Sequence, residues 1–310
     1  MSRNRPPGGV IAAVLLPRDE EGRPRWDDFE RMVDFLCSHG LAGVCVNGAT
    51  GEYPRASQEE RRTAVAVARR VAAGRALVVA GEGSASTDAS IRLAAEAEAA
   101  GADAHLVPPP FFFSYEQDDV AGFYRAVAAA VARPVLIYRL PCFTSDVSGE
   151  TVLGLIRSEE SIHGIKDSSG SLDVLARLAA EGPARARRLV GNDNALVEAC
   201  RRNLCHGVIS GVACVLPELI SAIWEAGQRR DLAALDSLGR LLAEAIAQID
   251  AWPAPVGLQV LAGIRGLCRC LPAVPLSARR RQQAGQMQRW FEPWWERATE
   301  SFSAATRSDA

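Results

Sequence analysis

Residues 162–169 read Ile-His-Gly-Ile-Lys-Asp-Ser-Ser, a short apolar run that ends in a polar cluster. A similar run precedes it at 134–141, Pro-Val-Leu-Ile-Tyr-Arg-Leu-Pro, and another follows at 188–193, Arg-Leu-Val-Gly-Asn-Asp. Amphipathic stretches with helical spacing separate these runs. Apolar runs that alternate with helices are typical of parallel strands whose two faces are both covered.

The same alternation extends outward over most of the chain. The predicted strands cover residues 10–16, 43–46, 76–80, 104–107, 134–138, 162–166, 188–190 and 207–210. Eight consecutive β–α units are typical of a closed barrel of parallel strands. The predicted fold class is therefore α/β, a (β/α)8 TIM barrel with a C-terminal helical extension. We assign residues 8–228 to the barrel, 229–300 to the extension, which has three helical segments, and 301–310 to a disordered tail.

Composition excludes several classes of protein. The 310 residues carry a net charge of -2, which gives no bulk attraction to nucleic acid or to an anionic membrane. We find no membrane-spanning run, and the N-terminal sequence MSRNRPPGG lacks the apolar core of a signal peptide. The eight cysteines form no CxxC pair, and the four histidines do not lie at metal-ligand spacing from them. A cytoplasmic protein with reduced thiols and no metal is expected.

Lys166 is the only lysine among 35 Lys and Arg residues. Coding bias explains an excess of arginine, but arginine cannot attack a carbonyl, whereas a neutral lysine amine can. Strand alternation places Ile162, Gly164 and Lys166 on one face, which we assign to the barrel interior with Gly164 leaving room for a ligand. Burial disfavours the charged form of an amine, so imine formation with a ketone is predicted. The alternative is a structural ion pair between Lys166 and Asp167.

Other polar groups end neighbouring strands, and in a barrel these ends meet at one mouth. Tyr138 ends the strand before Lys166, where its phenol could transfer protons; a core tyrosine with a satisfied hydroxyl is the alternative. In the turn Gly48–Glu52, backbone N–H groups and the Thr50 hydroxyl suit a carboxylate, although a tight β–α connection would also use these glycines. We find no glycine-rich nucleotide-binding motif, so no cofactor is expected.

Together these motifs resemble the dihydrodipicolinate synthase / N-acetylneuraminate lyase family of class I pyruvate-dependent aldolases. The resemblance covers roughly residues 8–300. The motifs that carry it are Gly48-Ala49-Thr50-Gly51-Glu52, Tyr138-x-x-Pro141, Gly164-Ile165-Lys166-Asp167-Ser168-Ser169, Gly191-x-Asp193 and Gly207-x-Ile209-Ser210.

The resemblance implies a homotetrameric enzyme that acts on a 2-oxo acid and an aldehyde. Lys166 would form the imine with pyruvate, and Tyr138 would transfer protons. Ala49 and Thr50 would hold the carboxylate of the 2-oxo acid, and the backbone of Ile209 would face the substrate. The covalent imine would make any other cofactor unnecessary.

The chain also departs from the family pattern at the second-substrate side. Ala49 replaces a threonine, and the segment Pro108–Phe113 has no hydroxyl where the synthase has a tyrosine pair. Phe143 replaces the arginine that grips the carboxylate of the aldehyde partner, and Arg139 replaces an asparagine. We assign Phe111 and Phe143 to a candidate apolar wall for the second substrate. Residues 111–113 could instead form a subunit interface, and alternation places Arg139 on the face opposite Tyr138.

The leading functional hypothesis is a lyase or aldolase that condenses or cleaves pyruvate with an aldehyde. Three alternatives stay open from the sequence: a deoxy sugar acid dehydratase of the same family, the true 4-hydroxy-tetrahydrodipicolinate synthase, and a non-catalytic barrel that binds a 2-oxo acid. Product analysis separates the aldolase from the dehydratase, because aldol cleavage releases two products and dehydration releases one.

Overall fold

A computed structural model describes residues 6–307, with side chains described up to residue 302. Eight parallel strands form a closed barrel in which each strand pairs with the next and the last pairs with the first. This confirms the predicted (β/α)8 fold. The strands are β1 Gly9–Ala13, β2 Gly43–Val46, β3 Leu77–Gly81, β4 Ala104–Val107, β5 Val135–Arg139, β6 Ile162–Asp167, β7 Arg187–Val190 and β8 Gly207–Ser210.

Helices follow the strands and cover the barrel. The eight barrel helices are α1 Trp26–Ser38, α2 Gln58–Ala72, α3 Thr87–Ala99, α4 Gln117–Ala129, α5 Gly149–Ser158, α6 Asp173–Glu181, α7 Leu196–Arg201 and α8 Pro217–Arg229. The predicted start of α2 is confirmed, because Ser57 and Glu60 form a reciprocal capping box. Within the described residues, no helix has both the length and the apolar character needed to cross a membrane.

The first strand is shorter than predicted. Residues 14–16 are buried and apolar, which is why the pattern extended through them, but after Val14, whose N–H still donates to the carbonyl of Cys45 at 2.9 Å, the chain leaves the sheet. The N–H of Leu15 points to the sulfur of Cys214 at 3.4 Å, outside the barrel sheet. A continuous run of buried apolar residues therefore does not show where β1 ends.

Strand β6 carries an irregularity that changes one of the predicted faces. Its register with β5 shifts between Val135 and Leu136, which pair with Ile162 and Gly164 respectively. The extra residue places Ile162 in the outer core, against the helices, while Tyr138 of β5 lies in the inner one. The prediction that Ile162 shares the face of Lys166 is wrong, because a bulge adds one residue to the alternation.

Three helices follow the barrel: α9 Leu232–Asp250, α10 Val256–Ile264 and α11 Ala278–Arg307. The predicted start of the extension at 229 coincides with the last residue of α8. The predicted tail from 301 overlaps the end of α11, which continues to Arg307, and the ring of Phe302 packs against Trp295 at 6.0 Å between centroids. Residues 308–310 lie outside the described part of the chain.

A buried ionisable pair lies between the sheet and the helices at strands β3 and β4. Nδ1 of His105 is 3.0 Å from Oε1 of Glu82, and both side chains are fully buried. Burial opposes the charged form of His105, but the neighbouring Glu82 carboxylate outweighs it and the pKa of His105 is raised. Burial also raises the pKa of Glu82. The folded protein therefore holds protons at this pair that the unfolded chain releases.

We expect the contribution of this pair to the free energy of unfolding to fall as the pH rises above about 6.5, the ordinary pKa of histidine. A raised pKa in the folded state contributes stability below the unfolded pKa, and this contribution is lost as the pH rises through the folded pKa. His163 and His206 have lowered pKa values and act in the opposite direction near pH 6.5, so the pair is measured as a difference between proteins. Urea denaturation of wild type and Glu82→Gln between about pH 6.5 and 8.5 should show a stability difference that falls by up to ~1.4 kcal/mol per pH unit for one proton. A difference that is constant or rises with pH would contradict the assignment.

Candidate active site

Lys166 and Tyr138 meet inside the mouth of the barrel. They are paired in register on β6 and β5, and both side chains are buried, with 4% and 3% of their surface exposed. Nζ of Lys166 donates a hydrogen bond to the Tyr138 hydroxyl at 3.2 Å and lies 4.3 Å from the centre of its ring. The structure thus brings together the two residues that the sequence had placed at neighbouring strand ends. An amine and a phenol in this arrangement can exchange a proton.

The alternative role of Lys166, a structural ion pair with Asp167, is not supported by the structure. The Asp167 carboxylate is paired with Arg139, whose Nη1 lies 3.2 Å from Asp167 Oδ2. Arg139 also contacts Asp146 at 2.8 Å and donates to Ser169 at 2.8 Å, on the side of the strand away from Tyr138. Among the described residues, Lys166 has no ion-pair partner. Its amine is therefore not held as the cation of a salt bridge.

Gly164 was expected to leave space beside the Lys166 amine, but the structure assigns that role to Gly191. A Cβ on Gly164 would clash with the backbone carbonyl of Arg187, so this glycine allows β6 and β7 to approach and does not make room for a ligand. A Cβ on Gly191 would lie 2.8 Å from both Cγ and Cε of Lys166 and would also meet the Ser168 hydroxyl. Gly191, at the end of β7, is the residue that leaves space for the lysine side chain.

The turn Gly48–Glu52 presents fewer N–H groups than the sequence suggested. The N–H groups of Gly51 and Glu52 are bonded within the turn, to Gly48 and Ala49 at 3.1 and 3.0 Å. Within residues 6–307, no acceptor takes the N–H of Ala49 or Thr50. Thr50 lines the cavity and can offer its N–H and its hydroxyl to an anion, whereas Ala49 is not among the lining residues.

A cavity of about 280 Å³ opens above Lys166 and is lined by two different parts of the chain. The barrel supplies Thr50, Tyr138, Leu140, Phe143, Lys166, Ser168, the loop 191–194, Gly211 and Val212. The extension supplies Ile246, Ile249, Asp250, Trp252, Ala254, Pro255, Gly257 and Leu258. No pattern in the sequence indicated the second group, because no motif connects the extension to the mouth.

The remaining predicted site residues are not all at the cavity. Phe143 lines it with 64% of its surface exposed, but Phe111 packs on Tyr53, with 5.9 Å between ring centroids, and does not line it. The predicted wall of two phenylalanines is thus reduced to one, because the loop after β4 turns Phe111 toward Tyr53. The side chain of Ile209 lies in the inner core together with Tyr138, and is not part of the lining.

Two carboxyl groups line the cavity: Asp193, which belongs to the predicted motif Gly191-x-Asp193, and Asp250, which the sequence did not indicate. Asp193 accepts from the N–H of Val212 at 3.2 Å through Oδ2, while its Oδ1 is buried without a partner in the described structure. Burial raises the pKa of Asp193 and also that of Asp250, the last residue of α9. The lining contains no arginine. Lys166 is therefore the one basic side chain in this cavity, opposite two acidic ones.

Tyr53 is a further residue that the sequence did not single out. Its ring is buried against Phe111 and over Gly83, where a Cβ would lie 2.5 Å from its Cζ. Burial raises the pKa of Tyr53 to about 12, and the phenol of Tyr138 adds to the effect. The local sequence offered no signal beyond its position directly after the turn.

No group of three or more His, Cys, Asp or Glu side chains in the described part of the chain is arranged to hold a metal ion. The chemistry that these residues can perform is that of a buried amine with a phenol beside it. An uncharged amine adds to a carbonyl, and the phenol can move the protons that the addition requires.

Comparison with known proteins gives a consistent result. Residues 6–289 match the model of the Dihydrodipicolinate synthetase family. A 4-hydroxy-tetrahydrodipicolinate synthase from Nitrosospira multiformis is 36% identical over 282 residues, 88% of this chain and 92% of that protein. One from Hyphomonas neptunium is 34% identical over 280 residues, with 87% and 92% covered.

Solved structures agree on the fold. A chloride-inhibited dihydrodipicolinate synthase from Acinetobacter baumannii, complexed with pyruvate, is 26% identical with a TM-score of 0.81, covering 96% of this chain and 99% of that one. A dihydrodipicolinate synthase from Aquifex aeolicus has a TM-score of 0.87 at 24% identity, covering 93% and 98%. At 24% identity, the similarity to the Aquifex aeolicus structure supports only the fold, which is the barrel with its helical extension.

Proposed function

The chain belongs to the dihydrodipicolinate synthetase family, and from this premise we propose that it is a class I lyase that joins pyruvate to an aldehyde, or cleaves the product, through an imine on Lys166. One observation carries the assignment of roles. The buried Lys166 amine, without an ion-pair partner in the described structure, lies 3.2 Å from the Tyr138 hydroxyl at the base of the cavity.

The reaction begins with addition of the Lys166 amine to the ketone carbon of the 2-oxo acid. The resulting carbinolamine loses water when its hydroxyl is protonated, and Tyr138 is the hydroxyl group hydrogen-bonded to the lysine nitrogen. The imine then withdraws electrons from the adjacent carbon, which loses a proton and becomes the nucleophile toward an aldehyde. Hydrolysis of the product imine restores the amine, and no other cofactor is required.

The turn that contains Ala49 and Thr50 supports binding of the 2-oxo acid carboxylate. Two backbone N–H groups without acceptors, next to a hydroxyl, form a site for an anion. The turn lies close to the end of β8, since a Cβ on Gly211 would be 3.3 Å from Thr50 Oγ1. This location orients the ketone toward Lys166. The family pattern has a threonine at position 49, and its replacement by Ala49 removes a hydroxyl but keeps the backbone N–H.

The second substrate in this proposal is an aldehyde without a negative charge. Phe143 and Leu140 offer apolar surface, whereas Asp193 and Asp250 would repel a carboxylate. Among the lining residues, no arginine is present to form the paired hydrogen bonds by which a carboxylate is usually held. An uncharged aldehyde avoids this repulsion.

A second candidate is the 4-hydroxy-tetrahydrodipicolinate synthase reaction itself, which the names of the relatives favour. It uses the same imine but a different aldehyde. Parallel measurements of kcat/KM with aspartate semialdehyde and with uncharged aldehydes separate the two. Preference for the semialdehyde would establish the second candidate and refute our substrate assignment.

Borohydride reduction in the presence of pyruvate tests the chemistry. Because Lys166 is the only lysine, a stable adduct can form there or at the N-terminal amine, and a peptide map distinguishes the two. We expect a single adduct at Lys166. Failure to trap pyruvate or any of a panel of 2-oxo acids would refute the imine mechanism and favour a non-catalytic binding protein.

Phe143→Arg is expected to shift selectivity toward aldehydes that bear a carboxylate. The guanidinium adds a bidentate partner at the mouth, and we expect kcat/KM for aspartate semialdehyde to rise about tenfold relative to an uncharged aldehyde. Phe143→Gln is the matched control, since it removes the ring without adding charge. A shift of equal size in both variants would show that space, and not charge, limits the substrate.

A homotetramer in the cytoplasm completes the proposal. Phe112 and Phe113 are 86% and 65% exposed and meet edge to face at 4.9 Å between ring centroids, which supports their assignment to a subunit interface over a substrate wall. The cysteines are all free, as expected in a reducing compartment. Analytical ultracentrifugation measures the oligomeric state directly.

A further inference from the structure

Two cysteines lie next to each other beside the active site, in the segment that follows α10. The sulfur atoms of Cys268 and Cys270 are 3.4 Å apart. Cys268 is buried and Cys270 is partly exposed, and both thiols are free. A disulfide requires about 2.05 Å between sulfurs, so a small movement of one side chain and its backbone would close the bond.

This segment is connected to the turn that we assign to the 2-oxo acid. Nη1 of Arg55 donates to the carbonyl of Leu271, the residue after Cys270, at 3.4 Å. Arg55 also lies 3.6 Å from the carboxylate of Glu52, the last residue of the turn. Glu52 in turn accepts from the buried side chain of Gln259 on α10, at 2.9 Å. A displacement at residue 270 therefore acts on one of the two supports of Glu52, the Arg55 side chain that is bonded to Leu271.

The two thiols differ in their readiness to react. A hydrogen bond to Cys268, together with burial, raises the pKa of Cys270 well above the ordinary range of a thiol. The partly exposed Cys270 must lose its proton before it can react with a disulfide. A thiolate is the nucleophile in thiol–disulfide exchange.

We propose that Cys268 and Cys270 form a reversible dithiol–disulfide site, oxidised by low-molecular-weight disulfides, whose closure weakens binding of the 2-oxo acid. One of the two thiols loses its proton and attacks one sulfur of the external disulfide, which forms a mixed disulfide and releases one thiol. The other thiol loses its proton and attacks the protein sulfur of this mixed disulfide, which releases the second thiol. The protein dithiol loses two electrons and the external disulfide gains them. The effect on binding rests on the proposed function, whereas the disulfide does not.

The sequence allows a direct test of the bond. Trypsin cleaves after Arg269, between the two cysteines, and so yields peptides 266–269 and 270–279. After incubation with glutathione disulfide and alkylation of remaining thiols, mass spectrometry should detect these peptides as one cross-linked species. Dithiothreitol should separate them. The exposed Cys142 is replaced by serine in all proteins tested, because it precedes the cavity residue Phe143 and its own modification would complicate the measurement.

The effect on binding is measured as the pyruvate concentration that gives half-maximal borohydride trapping. We expect it to rise about five- to tenfold on oxidation, the loss expected when one hydrogen-bonded support is removed, and to return with dithiothreitol. Cys270→Ser and Cys268→Ser should remain unchanged by the oxidant. The proposal is overturned if no cross-link forms, if the cross-linked protein traps pyruvate as before, or if Cys270→Ser responds like the parent. A reduced parent that traps no pyruvate would instead refute the proposed function, and the peptide map would still decide the disulfide.

Discussion

Replacement of Lys166 by arginine is expected to abolish borohydride trapping of pyruvate and to lower kcat/KM by about 10⁴-fold or more, as for the loss of a catalytic nucleophile. Arginine keeps the positive charge but stays protonated and cannot form an imine. Lys166 has no ion-pair partner in the described structure, so the substitution removes a reactive amine and not a salt bridge. Intact-mass and peptide measurements after reduction give the result.

Lys166→Met is a second variant, because methionine is an unbranched side chain of similar length that carries no charge. Both variants should fold, which circular dichroism and thermal unfolding verify. If either variant still formed an internal adduct, or retained turnover within tenfold of wild type, Lys166 would not be the nucleophile. An adduct at the N-terminal amine alone would be non-specific, and would appear equally in wild type and variants.

Tyr138→Phe is expected to lower kcat/KM by about 10²- to 10⁴-fold while leaving Lys166 able to form an adduct, although more slowly. The substitution removes the hydroxyl that lies 3.2 Å from the lysine nitrogen and keeps the ring that packs beneath it. The time course of trapping with pyruvate, alongside steady-state turnover, measures both effects.

Tyr124→Phe is a matched control for this experiment. Tyr124 is also fully buried, but its hydroxyl donates to the carbonyl of Val107 at 2.8 Å and does not line the cavity. We expect Tyr124→Phe to cost about 1 kcal/mol of stability and to leave turnover unchanged. Equal loss of turnover in both variants would show that Tyr138 acts through packing and not through proton transfer.

Local patterns were sufficient to predict the barrel, because each β–α unit repeats the same signal and eight units must close. Lys166 and Tyr138 were brought together correctly for a related reason. Both end adjacent parallel strands, and the ends of such strands meet at one mouth. This pairing needs no knowledge of distant contacts.

Features that depend on distant contacts were missed or placed wrongly. The bulge in β6 removed Ile162 from the face of Lys166, since alternation fails where two residues oppose one. Gly164 was assigned to a ligand, whereas its missing Cβ admits the backbone of Arg187. Asp250 reaches the cavity from a helix that is far from the barrel strands in sequence, and no local pattern indicates that.

The origin of the cavity wall affects how this enzyme can evolve. The atoms proposed to bond with the 2-oxo acid come from the barrel, whereas one side of the space left for its partner comes from residues 246–258 of the extension. Changes in that segment alter which aldehyde fits without altering the amine, the phenol or the turn. A lineage can therefore acquire a new substrate through successive variants that all remain active, because none of them has to rebuild the imine chemistry.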